Sequence, residues 1–181
     1  MLVGALLLSS IGCLKESKKE EISPEKVKVP SLEWKWYENK EFGFRIKHPT
    51  DWKIIEKKKD VQFMEGENFF IVLIEKKGKD FDFEKFIKDH SSYWEDSEEF
   101  TIVKCKNVTV GGKPGRQFVI KYEWKLGENH TLPPIFGENE NLYVIYKVYT
   151  SIFNRGRLYE FCFDKKIATI GNEILESVEF I

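Results

Sequence analysis

The chain has 181 residues and a mass of 21.4 kDa, the size of one domain with an appendage. Its 41% hydrophobic and 15% aromatic content excludes a disordered chain. Lys+Arg 29 against Asp+Glu 30 leaves no basic excess for nucleic acid, and three cysteines cannot build a disulfide scaffold. The charged set is mostly 25 Lys and 23 Glu, with Gln62 and Gln117 as the only glutamines. Such enrichment is a hyperthermophile signature, although AT-rich codon bias yields the same lysine excess.

Residues 1–12 read MLVGALLLSSIG. The apolar run Leu2–Leu8 is far shorter than the roughly 20 residues a bilayer span needs, and it fits the h-region of a secretory signal. Ser9-Ser10-Ile11-Gly12-Cys13 then resembles a prokaryotic lipobox, in which lipid joins the cysteine thiol and the preceding peptide is removed. Ser10 stands where that pattern carries Leu, and no Lys or Arg precedes Cys13. The competing reading is an apolar strand or helix with an incidental cysteine. A lipoprotein implies palmitate-like acyl chains on Cys13 and a place on the extracytoplasmic face of the cell membrane. Two or three chains, at about 0.8 kcal/mol per buried methylene, anchor firmly where one does not.

Residues 13–31 form the lipidated cysteine and its tether. Leu14–Ser31 holds five Lys, four Glu and two Pro, so it buries too little surface to offset its ordering entropy. As a coil these 18 residues span about 23 Å, and at full stretch about 60 Å.

The folded part is expected over 32–181. Leu32–Trp36 and Phe42–Lys47 alternate apolar and charged residues, which predicts two half-buried strands joined through Glu38–Glu41. Pro49 stops the second, and Trp52-Lys53-Ile54 starts another. Phe69–Ile74 is apolar at every position, which predicts a strand covered on both faces. Phe83, Phe86, Ile87, His90, Tyr93 and Trp94 fall on one helical stripe over Phe83–Glu95, with Asp82 as its N-cap. Thr101–Val110 reads as a strand, Gly111–Gly115 as a turn, and Phe118, Ile120, Tyr122 and Trp124 as one face of the next strand. A polar loop follows over Gly127–Asn141, with Pro133-Pro134-Ile135-Phe136 as its candidate interaction tip. Leu142–Phe153 and Arg157–Phe163 make a hairpin about Asn154-Arg155-Gly156. Ile167, Ile170, Ile174, Leu175 and Val178 fit a closing helix, and Val178–Phe180 a last short strand. Hairpins, a helix, a meander and a helix argue an α+β fold, an antiparallel sheet flanked by helices.

Tyr37-Glu38-Asn39, Phe42-Gly43-Phe44-Arg45-Ile46 and Pro49-Thr50-Asp51-Trp52 resemble the opening of PsbP-like domains. The glycine turn at Gly111–Gly115 and the closing Ser177-Val178-Glu179-Phe180 are similar to that family too. The resemblance implies an α/β/α sandwich over 32–181. It implies binding or assembly rather than catalysis, since extrinsic photosystem subunits, a Ran-binding relative and prokaryotic lipoproteins share it.

Chemistry-bearing motifs are sparse. His48, His90 and His130 have no metal-ligand spacing to one another or to cysteine. His90 on the apolar stripe reads as a satisfied core residue, and His48 before Pro49 as extended and partly exposed. Cys105 and Cys162 fall in strands that a meander keeps apart, so free buried thiols are expected. Glu95–Glu99 reads as a solvated turn, with a weak Ca²⁺ or basic-partner patch as the sharper alternative. Asn107-Val108-Thr109 and Asn129-His130-Thr131 match the N-glycosylation pattern, Asn129 being the better placed. No cofactor, metal or nucleic-acid partner is expected; the partners are the bilayer, through Cys13, and a protein of unknown identity. The alternatives are an exported enzyme with a dispersed site, and an apolar-ligand carrier using the aromatic sheet.

Overall fold

The computed structural model describes residues 32–78, 80–125 and 142–181. The signal, Cys13, the tether and the loop bearing Asn129, His130 and Pro133–Phe136 lie outside the described residues, as do the side chains of Trp124 and Tyr143. Five strands come first: β1 Trp34–Asn39, β2 Phe44–Pro49, β3 Lys53–Glu56, β4 Asp60–Glu65 and β5 Asn68–Lys76. Helix α1 follows at Phe83–Glu95, then β6 Phe100–Val110, β7 Lys113–Lys125, β8 Leu142–Asn154 and β9 Arg157–Asp164. A 3₁₀ turn, Lys165–Ile167, leads into α2 Ala168–Glu176 and β10 Glu179–Phe180.

Seven strands form one antiparallel sheet in the order β3-β4-β5-β9-β8-β7-β6. From central β5 the chain crosses through α1 to lay β6 on the far edge. The meander β6 to β9 then returns until β9 pairs with β5, setting Phe70 opposite Phe163 and Val72 opposite Phe161. Strands β1, β2 and β10 form a second sheet. Together with α2 it covers one face of the large sheet, while α1 covers part of the other.

Period-two patterning explains the main core. Val61, Phe63, Phe70, Val72, Phe161 and Phe163 point to one face and are fully buried against Phe44 and Ile46 of β2 and Ile174 of α2. Each such side chain contributes about 1.5–3 kcal/mol by leaving water. Across the sheet, Ile87 and Trp94 of α1 pack on Phe118 and Ile120. The helix begins where expected because the Asp82 carboxylate accepts the Lys85 N–H at 2.9 Å, satisfying an orphan donor of the first turn.

The closing Ser177–Phe180 segment is a clamp on β2. The Lys47 N–H donates to Ser177 Oγ at 2.8 Å, Arg45 pairs with Glu179, and Phe180 packs against the Tyr159 ring at 4.8 Å. Trp52 is 2% exposed, so the Pro-x-x-Trp motif ends one strand and fills the core with its indole.

Several expectations shift. The first turn is displaced: Phe42-Gly43 belongs to it, with Gly43 at φ +77°, and β2 begins at Phe44. The expected five-residue turn at Gly111–Gly115 shrinks to Gly111-Gly112, both at positive φ, because Pro114 and Gly115 pair in β7. Phe69–Ile74 is fully covered on one face only, Phe69 and Ile71 of the other being half-buried. Phe70, Val72 and Ile74 are buried, whereas Leu73 on the opposite face is 41% exposed, because α1 sits over β6–β8 and not over β5. Tyr93 leaves the predicted helix stripe and is 65% exposed, its ring tilted to that of Phe100 with centroids 6.2 Å apart.

Candidate functional site

Polar groups of the large sheet gather beneath and beside α1. Strands β8 and β9 set Tyr149 opposite Cys162 and Ser151 opposite Glu160, all on the α1 face. Tyr122 of β7 adds its hydroxyl, 2.5 Å from that of Tyr149. Trp94 and Phe118 roof this chain of groups, with Trp94 centred 5.6 Å from the Tyr149 ring. Burial pushes the Cys162 thiol up to about 11 and raises both tyrosines, so all three hold their protons at neutral pH. A protonated thiol is a poor nucleophile.

One strand spacing along, His90 of α1 brings Nδ1 to 3.8 Å from Glu160 Oε1, and Ser151 Oγ donates to the same carboxylate at 3.4 Å. Burial raises the Glu160 carboxyl above its usual range, against the pull of His90, Ser151 and Lys77 and with a push from Glu75. His90 is therefore an interface residue between helix and sheet, its ring tilted 46° to that of Phe86 with centroids 4.3 Å apart, and not a satisfied core histidine: Nδ1 is buried with no hydrogen-bond partner. Ser151 is 1% exposed and its 3.4 Å contact with Glu160 is long, so its hydroxyl lies inside the helix–sheet interface and not toward solvent. Glu160 was legible in one respect, as the lone charge within the apolar run Leu158–Phe163. Its meeting with His90 was not, because 70 positions separate them in the chain.

His48 corrects the expectation of partial exposure. Alternation in β2 puts it on the same face as Phe44 and Ile46, fully buried, with its ring 5.1 Å from that of Phe63. Neither ring nitrogen has a well-formed hydrogen-bond partner. Burial and the Lys35 charge lower its pKa, outweighing a weak approach of the Pro49 backbone. Among the described residues no carboxylate lies within ion-pair distance of it.

The remaining expectations divide plainly. Cys105 and Cys162 form no disulfide, since β7 and β8 lie between their strands and three strand spacings of about 4.8 Å far exceed bridging reach. Asn107 is exposed on edge strand β6, where a strand position does not hide it. Glu95, Asp96, Glu98 and Glu99 are exposed, and among the described residues no group of three metal-ligating side chains converges. No helix among the described residues is long and apolar enough to cross a membrane. An open groove of about 460 Å³ lies between the α1 N-terminus and the β6–β7 hairpin. Phe83 and Val108 line it beside Glu84 and Arg116, whose charges approach to 3.5 Å. It is open and of mixed polar and apolar lining, unlike the closed apolar cavity an apolar-ligand carrier requires.

The sequence matches no family profile and no curated protein. Its fold, however, is similar to the solution structure of cyanobacterial PsbP (CyanoP) from Synechocystis sp. PCC 6803. The TM-score is 0.56 at 13% identity, over 88% of this chain and 98% of that one. A crystal structure from Bacteroides thetaiotaomicron VPI-5482 is more distant, with TM-score 0.45 and 15% identity over 77% of this chain and 45% of that one. The antiparallel sheet, its two helices and the match along nearly the whole of CyanoP give the described residues a PsbP-like fold.

Proposed function

We propose that this chain is a membrane-anchored lipoprotein whose PsbP-like domain works outside the cytoplasm by binding or assembly. The observation that carries the anchor is Cys13, set after an apolar run and small residues and followed by a charged, proline-bearing tether. The non-enzymatic reading rests on the chemical character of the polar cluster under α1. Its thiol and phenols are held protonated, and its serine is buried in the helix–sheet interface. Such groups hold a helix to a sheet more readily than they attack a substrate.

Mass spectrometry of the protein extracted from its native membranes tests the anchor. The expected mass is that of a chain beginning at Cys13 and carrying acyl groups, partitioning into detergent. A bare chain retaining Met1 refutes it. For the domain, cross-linking in intact membranes is expected to join residues of 32–181 to an extracytoplasmic protein. Turnover of an exported metabolite, abolished by Glu160→Gln at unchanged stability, would replace binding with catalysis.

A further inference from the structure

The outer face of the small sheet carries a feature that the fold does not use. Trp36 of β1 is 44% exposed, although an indole is among the largest apolar groups a strand can bury. Register puts Lys47 directly across from it and Arg45 across from Glu38 on the same face. Both cations lie over the indole, Arg45 Cζ 4.8 Å and Lys47 Nζ 5.1 Å from the ring centroid. Two carboxylates share the face, but each is already matched: Glu179 with Arg45 at 2.5 Å, and Glu38 with Lys40 at 3.8 Å. Among the described residues Lys47 has no carboxylate within ion-pair distance, so it is the uncompensated charge beside the exposed ring.

We infer that this face, centred on Trp36 and Lys47, rests on an anionic lipid surface. The inference deepens the membrane-anchored reading above and rests on it. Tryptophan is the side chain that prefers the headgroup layer, with an apolar body and a polar N–H, and lysine beside it reaches lipid phosphates on a long apolar stem. Trp36 lies 23 residues after Cys13, so the acyl anchoring proposed above would hold this strand near headgroups. Two weak contacts on one chain then reinforce each other through effective concentration.

The test uses the full chain with Cys13→Ser, which removes the acyl chains and isolates the face. Binding to phosphatidylglycerol vesicles and to phosphatidylcholine vesicles is measured by co-sedimentation. The expected result is partition into the anionic vesicles only, weakened by about 0.5 M salt. Lys47→Ala should cost about fivefold in partition, and Trp36→Ala at least as much, both variants melting like the parent. Equal binding to both vesicle types, no binding to either, or binding unchanged in both variants overturns the inference. A Trp36-dependent dimer without vesicles overturns it too, by giving the face to a second copy. The anchor stands or falls separately on the native mass, so a bare Cys13 with intact vesicle binding would remove the anchor and leave the face.

Discussion

Replacing His48 with phenylalanine should flatten the acid limb of the stability curve. The imidazole is fully buried against Phe63, its nitrogens lack well-formed partners, and Lys35 stands across the β1–β2 pair. Its folded pKa therefore lies below the ordinary 6.5, burial being the larger cause and Lys35 the second. For a base the sign runs one way. Between the depressed folded pKa and 6.5 the unfolded chain binds the proton that the folded chain refuses, so stability falls as pH falls through that window. One proton sets a ceiling of about 1.4 kcal/mol per pH unit. Glu160 and Asp164 act oppositely, because burial raises both carboxyls and acidification relieves them at lower pH. The difference between parent and His48→Phe isolates the histidine from these two. Urea denaturation from pH 7.5 to 5 measures it, with His48→Leu as a check on ring size. Parallel loss of stability in parent and both variants would refute the burial argument.

Two further perturbations test the fold. Gly43→Ala places a Cβ where φ is +77° and 2.6 Å from Arg157 Nη1, which donates to the Phe42 carbonyl. A loss of about 1–3 kcal/mol is expected in thermal or urea melts; a loss under about 0.5 kcal/mol would mean the turn relaxes freely. Cys162, buried and raised to about 11, should resist iodoacetamide at pH 8 in the native chain and react within minutes once unfolded. Mass spectrometry locates the adduct, and rapid native labelling of Cys162 would contradict its burial under α1.

Local pattern reached a long way in this chain. The α1 stripe from Phe83 to Trp94 with Asp82 before it, the Asn154-Arg155-Gly156 hairpin and the period-two strands all follow from spacing of three to four or of two. The Gly-Phe strand, Pro49 and Trp52, and Ser177–Phe180 carried the PsbP-like resemblance, and the structure shows the reason. They join β2 to α2 and β10 through Lys47–Ser177 and Arg45–Glu179. The anchor at Cys13 is a reading of sequence from beginning to end.

Other features depended on distance in three dimensions. Whether Phe69, Ile71 and Leu73 are covered turns on where α1 lands, and no period in the strand contains that information. His48 looked partly exposed until the small sheet packed on the large one, setting the face it shares with Ile46 against Phe63. His90 and Glu160, or Tyr122 and Tyr149, meet only after β6 to β9 fold back onto β5. Sequence fixes which face a side chain takes through the backbone's own geometry. What lies opposite that face is decided by packing between segments far apart in the chain, and so are its burial, its proton and its partner.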